Sequence, residues 1–379
     1  MNSRQISRRR VLAAGLSGVA GLGALDLTGQ RNAIAQSTPD TVIYVSNAGS
    51  KDIHVLSMNR ESGALDLIEK VAVPGSDKPS PQSLPMALSP DKRYLYAQLR
   101  GEPYPVSTFA IDPASGRLNH LGTTPLIDQM AYINVDKTGR FLLAASYVGG
   151  KLAIYPINAQ RVVERKETQV VDGNPKAHCV VIDAGNRNVY VPVLELDVVL
   201  ELKFDPATGT VMPNGSGRIA TKPKAGPRHF TFHPNGKFAY LLTETTATVG
   251  AYAIDAASGR LTELQFVPTH DYAEQPNASD IHVTPNGKFL YAAERRSSML
   301  TGFNIDPNKG TLTPIGRFPT EKVPRGFAID PRGKFVLAAG MVSNGVTVHA
   351  IDQSSGELKS VARAPVGIQP NWIEIVDLK

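Results

Sequence analysis

The stretch Thr284-Pro-Asn-Gly-Lys-Phe-Leu-Tyr decides the fold of this chain, because the chain repeats it. A polar turn, a basic residue and an apolar run occur together six times, with intervals of 47, 47, 50, 51 and 46 residues. The basic residues are Arg93, Arg140, Arg187, Lys237, Lys288 and Lys334. A period of about 50 residues indicates an array of similar units, and a polar turn between apolar runs is typical of two successive strands.

A second repeated phrase marks another hairpin in each unit, as in Ser258-Gly-Arg-Leu. Its glycine supplies the positive φ that a tight hairpin needs. The phrase occurs at Gly63, Gly116, Gly209, Gly259, Gly310 and Gly356. The third unit lacks the glycine and has the degenerate form Ile154-Tyr-Pro-Ile-Asn-Ala-Gln-Arg-Val. Six clear hairpins and one degenerate hairpin predict seven units.

Each unit contains four predicted strands. In the fifth unit they are residues 228–233, 238–243, 249–254 and 261–268. Four-stranded units repeated around an axis form a β-propeller, so the sequence predicts an all-β, seven-bladed propeller. Residues 42–47 lack a preceding inner strand, and Pro370-Asn-Trp-Ile-Glu-Ile-Val lacks following strands. We therefore expect these two segments to share one blade, with the C-terminal strand innermost, because that pairing removes an open sheet edge.

The first 35 residues have the features of an export leader. Ser7-Arg8-Arg9-Arg10-Val11-Leu12 has the twin-arginine form, an apolar run follows to Leu27, and Ala33-Ile34-Ala35 offers a cleavage site. The sequence thus predicts a signal peptide at 1–35, cleavage after Ala35, a propeller domain at 36–379, and a periplasmic or secreted protein. The twin-arginine export machinery is an expected partner.

Composition excludes several other classes. The leader carries five arginines and one aspartate, which leaves the mature chain near +2 from a total of +6, so its charge does not indicate nucleic acid. The one cysteine, Cys179, lies in an apolar run and is expected to pack in the core. There is no CxxC or HExxH pattern, and the rim described below has no acidic cluster. We therefore predict no cofactor and no metal.

Candidate site residues follow from aligning the repeats. The first residues of the inner strands should meet at one mouth of the central channel. They are Leu84, Ala131, His178, Arg228, Ser279, Arg325 and Asn371. The second strands should end at the same mouth, where the equivalent residues are Arg100, Tyr147, Leu194, Glu244, Arg295 and Met341. Charged groups near a narrow axis are costly unless they are paired or bind a ligand.

These rings predict a site for an anionic or carbonyl-rich small molecule. Arginine matches carboxylate or phosphate geometry, and a histidine or glutamate beside it can move protons. We assign catalytic roles to His178, Arg228, Glu244 and Arg295. Substrate contacts are predicted for Arg325, His229, Asp280, His282 and Arg100. The alternative interpretation is a set of structural ion pairs, with Arg228–Glu244 as the first.

With these residues in view, residues 42–376 resemble the seven-bladed propeller lactonases of the bacterial 6-phosphogluconolactonase type. The resemblance is strongest in Gly226-Pro-Arg-His-Phe-Thr-Phe-His-Pro-Asn, in Asp280-Ile-His-Val-Thr-Pro-Asn-Gly-Lys-Phe-Leu-Tyr-Ala-Ala-Glu-Arg, in Pro324-Arg-Gly-Phe-Ala-Ile-Asp and in Val366-Gly-Ile-Gln-Pro-Asn-Trp. The family includes fungal carboxy-muconate lactonising enzymes, whose proposed site is a histidine, two arginines and a glutamate. The resemblance implies that His178, Arg228, Glu244 and Arg295 are their counterparts.

Two features depart from the family pattern. The histidine lies in Lys176-Ala-His-Cys-Val, where phosphogluconolactonases typically have Cys-His-Ser-Ala. The leader also directs this chain away from the cytoplasmic pentose phosphate pathway. The resulting hypothesis is metal-independent hydrolysis of a sugar or related lactone. The alternatives are a muconate-type cycloisomerase, which runs between the same functional groups, and an exported propeller that binds an organic anion without catalysis.

Overall fold

Twenty-eight strands form seven antiparallel sheets of four strands in the computed structural model, which describes residues 39–79 and 83–378. The described residues contain no α-helix, and no helix among them could span a membrane. The all-β, seven-bladed prediction is therefore confirmed. The predicted leader, its cleavage site and the domain boundary after residue 35 lie outside the described residues.

The strands follow the chain blade by blade, starting with three strands of the closing blade. That blade contains β1 Thr41–Asn47, β2 Asp52–Met58 and β3 Leu65–Ala72. The second contains β4 Met86–Leu88, β5 Tyr94–Gln98, β6 Pro105–Ile111 and β7 Leu118–Pro125. The third contains β8 Tyr132–Val135, β9 Phe141–Ser146, β10 Lys151–Pro156 and β11 Gln169–Val171. The fourth contains β12 Val181–Ile182, β13 Asn188–Val193, β14 Val198–Asp205 and β15 Thr210–Ala220.

The remaining blades have the same order. The fifth contains β16 Pro227–Phe232, β17 Phe238–Thr243, β18 Thr248–Ile254 and β19 Leu261–Pro268. The sixth contains β20 Ala278–Val283, β21 Phe289–Glu294, β22 Met299–Ile305 and β23 Leu312–Pro319. The seventh contains β24 Pro324–Ile329, β25 Phe335–Gly340, β26 Gly345–Ile351 and β27 Leu358–Pro365. The predicted strands of the fifth unit agree with these bounds to within one residue.

The last strand, β28 Pro370–Asp377, closes the ring as predicted. It pairs with β1 from Thr41↔Asp377 to Asn47↔Pro370, at the edge of the sheet β28–β1–β2–β3. It also contacts β24 and β4, the inner strands of the blades on either side. The C-terminal strand is therefore innermost. Leu84 N–H donates to Asn371 Oδ1 at 2.9 Å and joins this strand to the second blade.

The two repeated phrases bind each other across blade boundaries. The tyrosine that ends the turn phrase donates its hydroxyl to the hairpin glycine of the next blade, as in Tyr291 OH to Gly356 O at 2.8 Å. The same bond joins Tyr44 to Gly116, Tyr190 to Gly259 and Tyr240 to Gly310. These hydroxyls need partners because they are buried between sheets. The repeated phrases therefore also supply the hydrogen bonds that join neighbouring blades.

The degenerate hairpin of the third unit forms the same tyrosine–carbonyl hydrogen bond between blades, although it lacks the glycine. Arg161 takes the left-handed conformation there, with φ 67°, and its carbonyl accepts a hydrogen bond from Tyr96 OH at 3.1 Å. The turn is held further by Asn158 Oδ1, which accepts the N–H of Val162 at 3.0 Å. An asparagine turn therefore replaces the glycine turn, at the cost of a non-glycine residue at positive φ.

We predict that Gly326→Ala in β24 destabilises the closure. A Cβ there would lie 2.3 Å from the carbonyl oxygen of Asn371 in β28, so the backbone of one inner strand would have to move. We expect a loss of about 1–3 kcal/mol in the free energy of unfolding, as for overpacked cores, measured by urea denaturation. The matched control is Gly316→Ala in β23, where the nearest side-chain atom lies at 3.4 Å. Equal stability of the two variants would contradict this account.

Candidate active site

Residues from six of the seven blades meet around one cavity of about 390 Å³ at the mouth where the inner strands begin. It is lined by Arg100, Gln129, Ala131, Tyr147, Val148, His178, Arg228, Glu244, Arg295 and Arg325. All four residues with predicted catalytic roles are therefore in one place, together with Arg100 and Arg325. The predicted ring members Leu84, Ser279, Asn371, Leu194 and Met341 do not line this cavity.

A β-bulge directs the inner-ring side chains in four blades. In β16, Pro227 pairs with Thr243 and His229 with Leu242, so Arg228 is the extra residue between them. Equivalent bulges place Ser279, Arg325 and Asn371 outside the regular ladder. A bulge re-aims the side chain of its extra residue. This device points Arg228 and Arg325 into the cavity.

The side chain of Arg228 is the centre of the site. It is 2% exposed, and its three partners come from three blades. Nη1 donates to His178 Nε2 at 2.5 Å and to Glu244 Oε2, while Nε donates to the Ser279 carbonyl at 2.7 Å. The ion pair with Glu244 that the alternative interpretation predicts is therefore present, but inside the cavity and not apart from it.

The bond from Arg228 sets the protonation state of His178. A guanidinium only donates, so His178 Nε2 must accept, and the neutral ring carries its proton on Nδ1. Burial lowers the pKa of His178 well below its usual value, and the positive charges of Arg228 and Arg325 lower it further. His178 is therefore neutral at neutral pH. The ring of Tyr147 packs edge-on against it, with centroids 5.3 Å apart.

Glu244 is ionised between two guanidiniums. Arg228 Nη1 binds Oε2, and Arg295 Nη2 lies 3.2 Å from Oε1. Burial alone would raise the pKa of Glu244, but the charges of Arg228 and Arg295 outweigh burial and lower the pKa to about 2. A carboxylate held this strongly is a weak base at neutral pH.

The remaining arginines differ in how far the protein neutralises them. Arg295 donates to Asn277 O and Oδ1 at 3.1 and 2.5 Å and to Ala278 O at 3.1 Å, in addition to its contact with Glu244. Arg100 Nη2 donates to Gln129 Oε1 at 3.0 Å. Arg325 is buried, yet its guanidinium has no hydrogen bond or ion pair within residues 39–79 and 83–378.

Burial and crowding of like charges act on all three side chains. Burial, followed by the charge of Arg228, lowers the pKa of Arg100 and of Arg295 to about 10. The same causes, with Arg295 and Arg100 added, lower the pKa of Arg325 well below its usual value. The lining of the cavity therefore contains four guanidiniums and one carboxylate. This excess of positive charge favours the binding of an anion.

Three predicted substrate-contacting residues lie outside the cavity lining. His229 Nδ1 is 2.8 Å from Asp280 Oδ1, and His282 Nε2 is 3.2 Å from Asp280 Oδ2. They follow the bulge along the inner strands, deeper in the channel. Asp280 and His282 instead line a separate cavity of about 230 Å³ with Trp372 and Glu374, toward the other ends of these strands. Trp372 packs on Tyr132 in this region, with ring centroids 5.0 Å apart.

The repeat alignment missed Gln129 and Val148. Gln129 lies two residues before the inner-ring residue Ala131, and its amide oxygen accepts a hydrogen bond from Arg100. Val148 follows Tyr147 and is 64% exposed beside the cavity. Both lie in loops next to ring positions, so extending each ring position by two residues in the loop direction would have included them. In the described part of the chain, no three His, Cys, Asp or Glu side chains are grouped to hold a metal ion.

Comparison with known proteins agrees with this geometry. Residues 30–375 match the family model described as lactonase, seven-bladed β-propeller. The chain belongs to that family. The resemblance inferred from the sequence motifs is thus confirmed, and family membership supports an enzyme that acts on lactones. The catalytic assignments to His178, Arg228, Glu244 and Arg295 stay predictions.

Individual relatives are similar over most of their length. A 6-phosphogluconolactonase from Pectobacterium carotovorum is 38% identical over 291 residues, which are 76% of this chain and 84% of the relative. A periplasmic gluconolactonase from Pseudomonas aeruginosa has a solved structure with a TM-score of 0.81 and 25% identity, over 89% of this chain and 99% of that one. A second solved structure, a putative 6-phosphogluconolactonase from Bacteroides fragilis, has a TM-score of 0.79 and 26% identity, over 90% and 99%.

We predict that Glu244→Gln destabilises the fold in a pH-dependent way. Folding lowers the pKa of Glu244 from 4.5 to about 2, so its ionised form stabilises the fold fully above about pH 4.5. That contribution is lost as the pH falls toward 2. The free energy of unfolding of the parent minus that of the variant should therefore be largest near pH 6 and smaller at pH 3, by urea denaturation. A difference that is constant from pH 6 to 3 would contradict the ion-pair assignment.

Proposed function

We propose that this protein hydrolyses a sugar or related small lactone to its hydroxy acid, without a metal, in the arginine-lined cavity. One observation carries the proposal: Arg325 brings to the cavity a buried guanidinium without a protein partner among the described residues. A buried cation of this kind is stabilised when a ligand supplies the negative charge. The lactone carbonyl gains that charge during attack, and the product is a carboxylate. The named gluconolactonase and 6-phosphogluconolactonase relatives favour a sugar lactone.

The arginines are assigned to the substrate oxygens. The Nε groups of Arg228 and Arg295 are fixed by backbone carbonyls, so each guanidinium is already positioned to donate to a developing oxyanion. Preorganised donors of this kind stabilise the transition state more than the ground state. Arg325 and Arg100 would bind further substrate oxygens. The 390 Å³ cavity is large enough for a small sugar-sized molecule.

His178 is the better of the two candidate bases. Glu244 is held ionised with a pKa of about 2, so it takes a proton from water only weakly. His178 is neutral and has its Nε2 lone pair on Arg228. When a substrate oxygen draws the Arg228 N–H away, that lone pair becomes available to an attacking water. The imidazolium can then return the proton to the leaving alkoxide as the ring opens.

The direct test is a pH-stat assay of sugar, aliphatic and aromatic lactones with and without a chelator. We expect hydrolysis of a sugar lactone at a rate that the chelator leaves unchanged. His178→Ala should lower kcat by about 10²–10⁴-fold, as expected for loss of a general base. Loss of absorbance from a carboxy-muconate without lactone hydrolysis would instead establish a cycloisomerase. Binding of an organic anion without any turnover would establish a binding protein.

Arg325→Met is the control that separates function from folding. It removes a cation that has no protein partner among the described residues, so the variant should be at least as stable as the parent protein. Its kcat/KM should fall by about 10–100-fold, the effect of losing one charge-assisted hydrogen bond of about 1.5–3 kcal/mol. An unchanged kcat/KM would contradict a substrate-binding role for Arg325.

We further propose that residues 1–35 export the protein through the twin-arginine route, which agrees with the periplasmic location of the gluconolactonase from Pseudomonas aeruginosa. Replacing Arg8 and Arg9 by lysine should keep the chain in the cytoplasm with its leader attached, whereas Arg31→Lys should not. Fractionation and the intact mass of the protein measure both outcomes. The parent chain recovered from the cytoplasm at full length would contradict export.

A further inference from the structure

Two histidines, each with one buried ring nitrogen that has no hydrogen-bond partner among the described residues, line one small cavity directly behind the candidate active site. His178 Nδ1 and His229 Nε2 have no hydrogen-bond partner among the described residues. Both rings line a cavity of about 10 Å³, which Arg325, Asn371 and Trp372 also line. The ring centroids are 5.3 Å apart. A volume of about 10–15 Å³ holds one water molecule when polar groups surround it.

The two nitrogens are complementary in their hydrogen-bonding roles. Arg228 occupies the Nε2 lone pair of His178, so the neutral ring presents an N–H at Nδ1. Asp280 Oδ1 lies 2.8 Å from His229 Nδ1 and can only accept, so His229 Nδ1 carries a proton. In neutral His229 the remaining nitrogen, Nε2, is therefore an acceptor. A donor and an acceptor thus border the same space, where one water could join them.

Asp280 is fixed in place as an ionised carboxylate. Its Oδ1 accepts the N–H of Ile281 at 3.0 Å, and its Oδ2 accepts the N–H of Phe327 at 3.1 Å. His282 Nε2 lies 3.2 Å from Oδ2, whereas His229 contacts Oδ1. Burial would raise the pKa of Asp280, but His282 and His229 outweigh burial and lower the pKa. The carboxylate therefore holds His229 in one orientation and one tautomer.

We propose that His229, oriented by Asp280, relays the second proton of His178 during lactone hydrolysis. This inference rests on the proposed function. As water attacks the lactone carbonyl, its proton moves to His178 Nε2, and the Nδ1 proton moves through one water to His229 Nε2. As the ring carbon–oxygen bond breaks, the proton returns to Nδ1, and the Nε2 proton passes to the leaving alkoxide. Water and lactone thus give the hydroxy acid, and both histidines end as they began.

The relay moves positive charge from a histidine beside arginines to a histidine beside a carboxylate. An imidazolium at His178 would lie against Arg228 and close to Arg325. At His229 the same charge is 2.8 Å from the Asp280 carboxylate. Burial and the charges of Arg228 and Arg325 lower the pKa of His229 to about 4 although Asp280 raises it, and burial and the same two arginines lower the pKa of His178 well below its usual value. The rings of Tyr132 and Trp372 pack against His229 and carry no charge at neutral pH.

His229→Gln and Asp280→Asn should each lower kcat on the lactone hydrolysed fastest by the parent protein by about 10²-fold, while KM changes less than about threefold. His229 and Asp280 are positioning residues that do not line the substrate cavity, so the effect should fall on kcat. His349→Gln is the matched control, because His349 in β26 of the seventh blade is also buried but its Nε2 pairs with the Thr320 hydroxyl, away from the candidate site. It should leave both kcat and KM unchanged.

Rates in mixtures of light and heavy water distinguish a relay from a structural role. In the parent protein two protons move together, so kcat should depend on the deuterium fraction along a curve. In His229→Gln only one proton moves, so the dependence should be linear. In addition, ¹⁵N NMR of labelled histidines should show neutral His178 protonated at Nδ1 and neutral His229 at Nδ1. A linear plot for the parent protein, or the opposite tautomer at His178, overturns the relay even if the variants fail to fold.

The outcomes also separate the relay from the reaction itself. If His178→Ala abolishes turnover while His229→Gln keeps the parent kcat, the relay is wrong and the proposed function stands. If the parent protein hydrolyses no lactone, the proposed function is wrong and the relay falls with it.

Discussion

The buried guanidinium of Arg228 is the interaction on which the site depends. A charge that is 2% exposed must be compensated, and Arg228 finds His178, Glu244 and the Ser279 carbonyl in the fourth, fifth and sixth blades. Glu244 lies in the same blade as Arg228, but His178 and Ser279 lie 50 and 51 residues away in the two neighbouring blades, so the three partners meet only when these blades pack side by side. Because the cavity lining comes from six blades, the cross-blade tyrosine bonds and the β1–β28 pairing hold the candidate site together as well as the fold.

The compensation around Arg228 also leaves the cavity with an excess of positive charge. Glu244 is shared between Arg228 and Arg295, which leaves no second carboxylate in the cavity lining for Arg325. Evolution tolerates such an excess of charge at sites where a substrate supplies the missing partner. Stability and function therefore pull in opposite directions at Arg325. The same positive field makes His178 and Glu244 weak bases in the structure without substrate.

The sequence predicted the ring of blades and most of the residues that line the cavity, because the repeat period makes positions in different blades equivalent. Once the turns are aligned, Arg228, Arg325 and His178 must lie at the same level, whatever their side chains do. What the period could not show is the bulge at Arg228 and Arg325. Without it, consecutive residues such as Arg228 and His229 are simply neighbours near a channel. The bulge sends the arginine into the cavity and leaves His229 behind it, facing Asp280.

This separation of consecutive residues gives the inner strands two functional layers. The bulged layer carries cations that face the substrate cavity, and the next layer carries the Asp280 carboxylate between two histidines. Because opposite charges lie on successive levels of one narrow channel, a proton that leaves His178 in the proposed relay moves away from guanidiniums and toward a carboxylate. A base that is weak in isolation can then act during turnover, since its conjugate charge need not stay beside the arginines. The arrangement of charges that lowers the pKa of His178 thus also favours transfer of its Nδ1 proton toward His229 and Asp280.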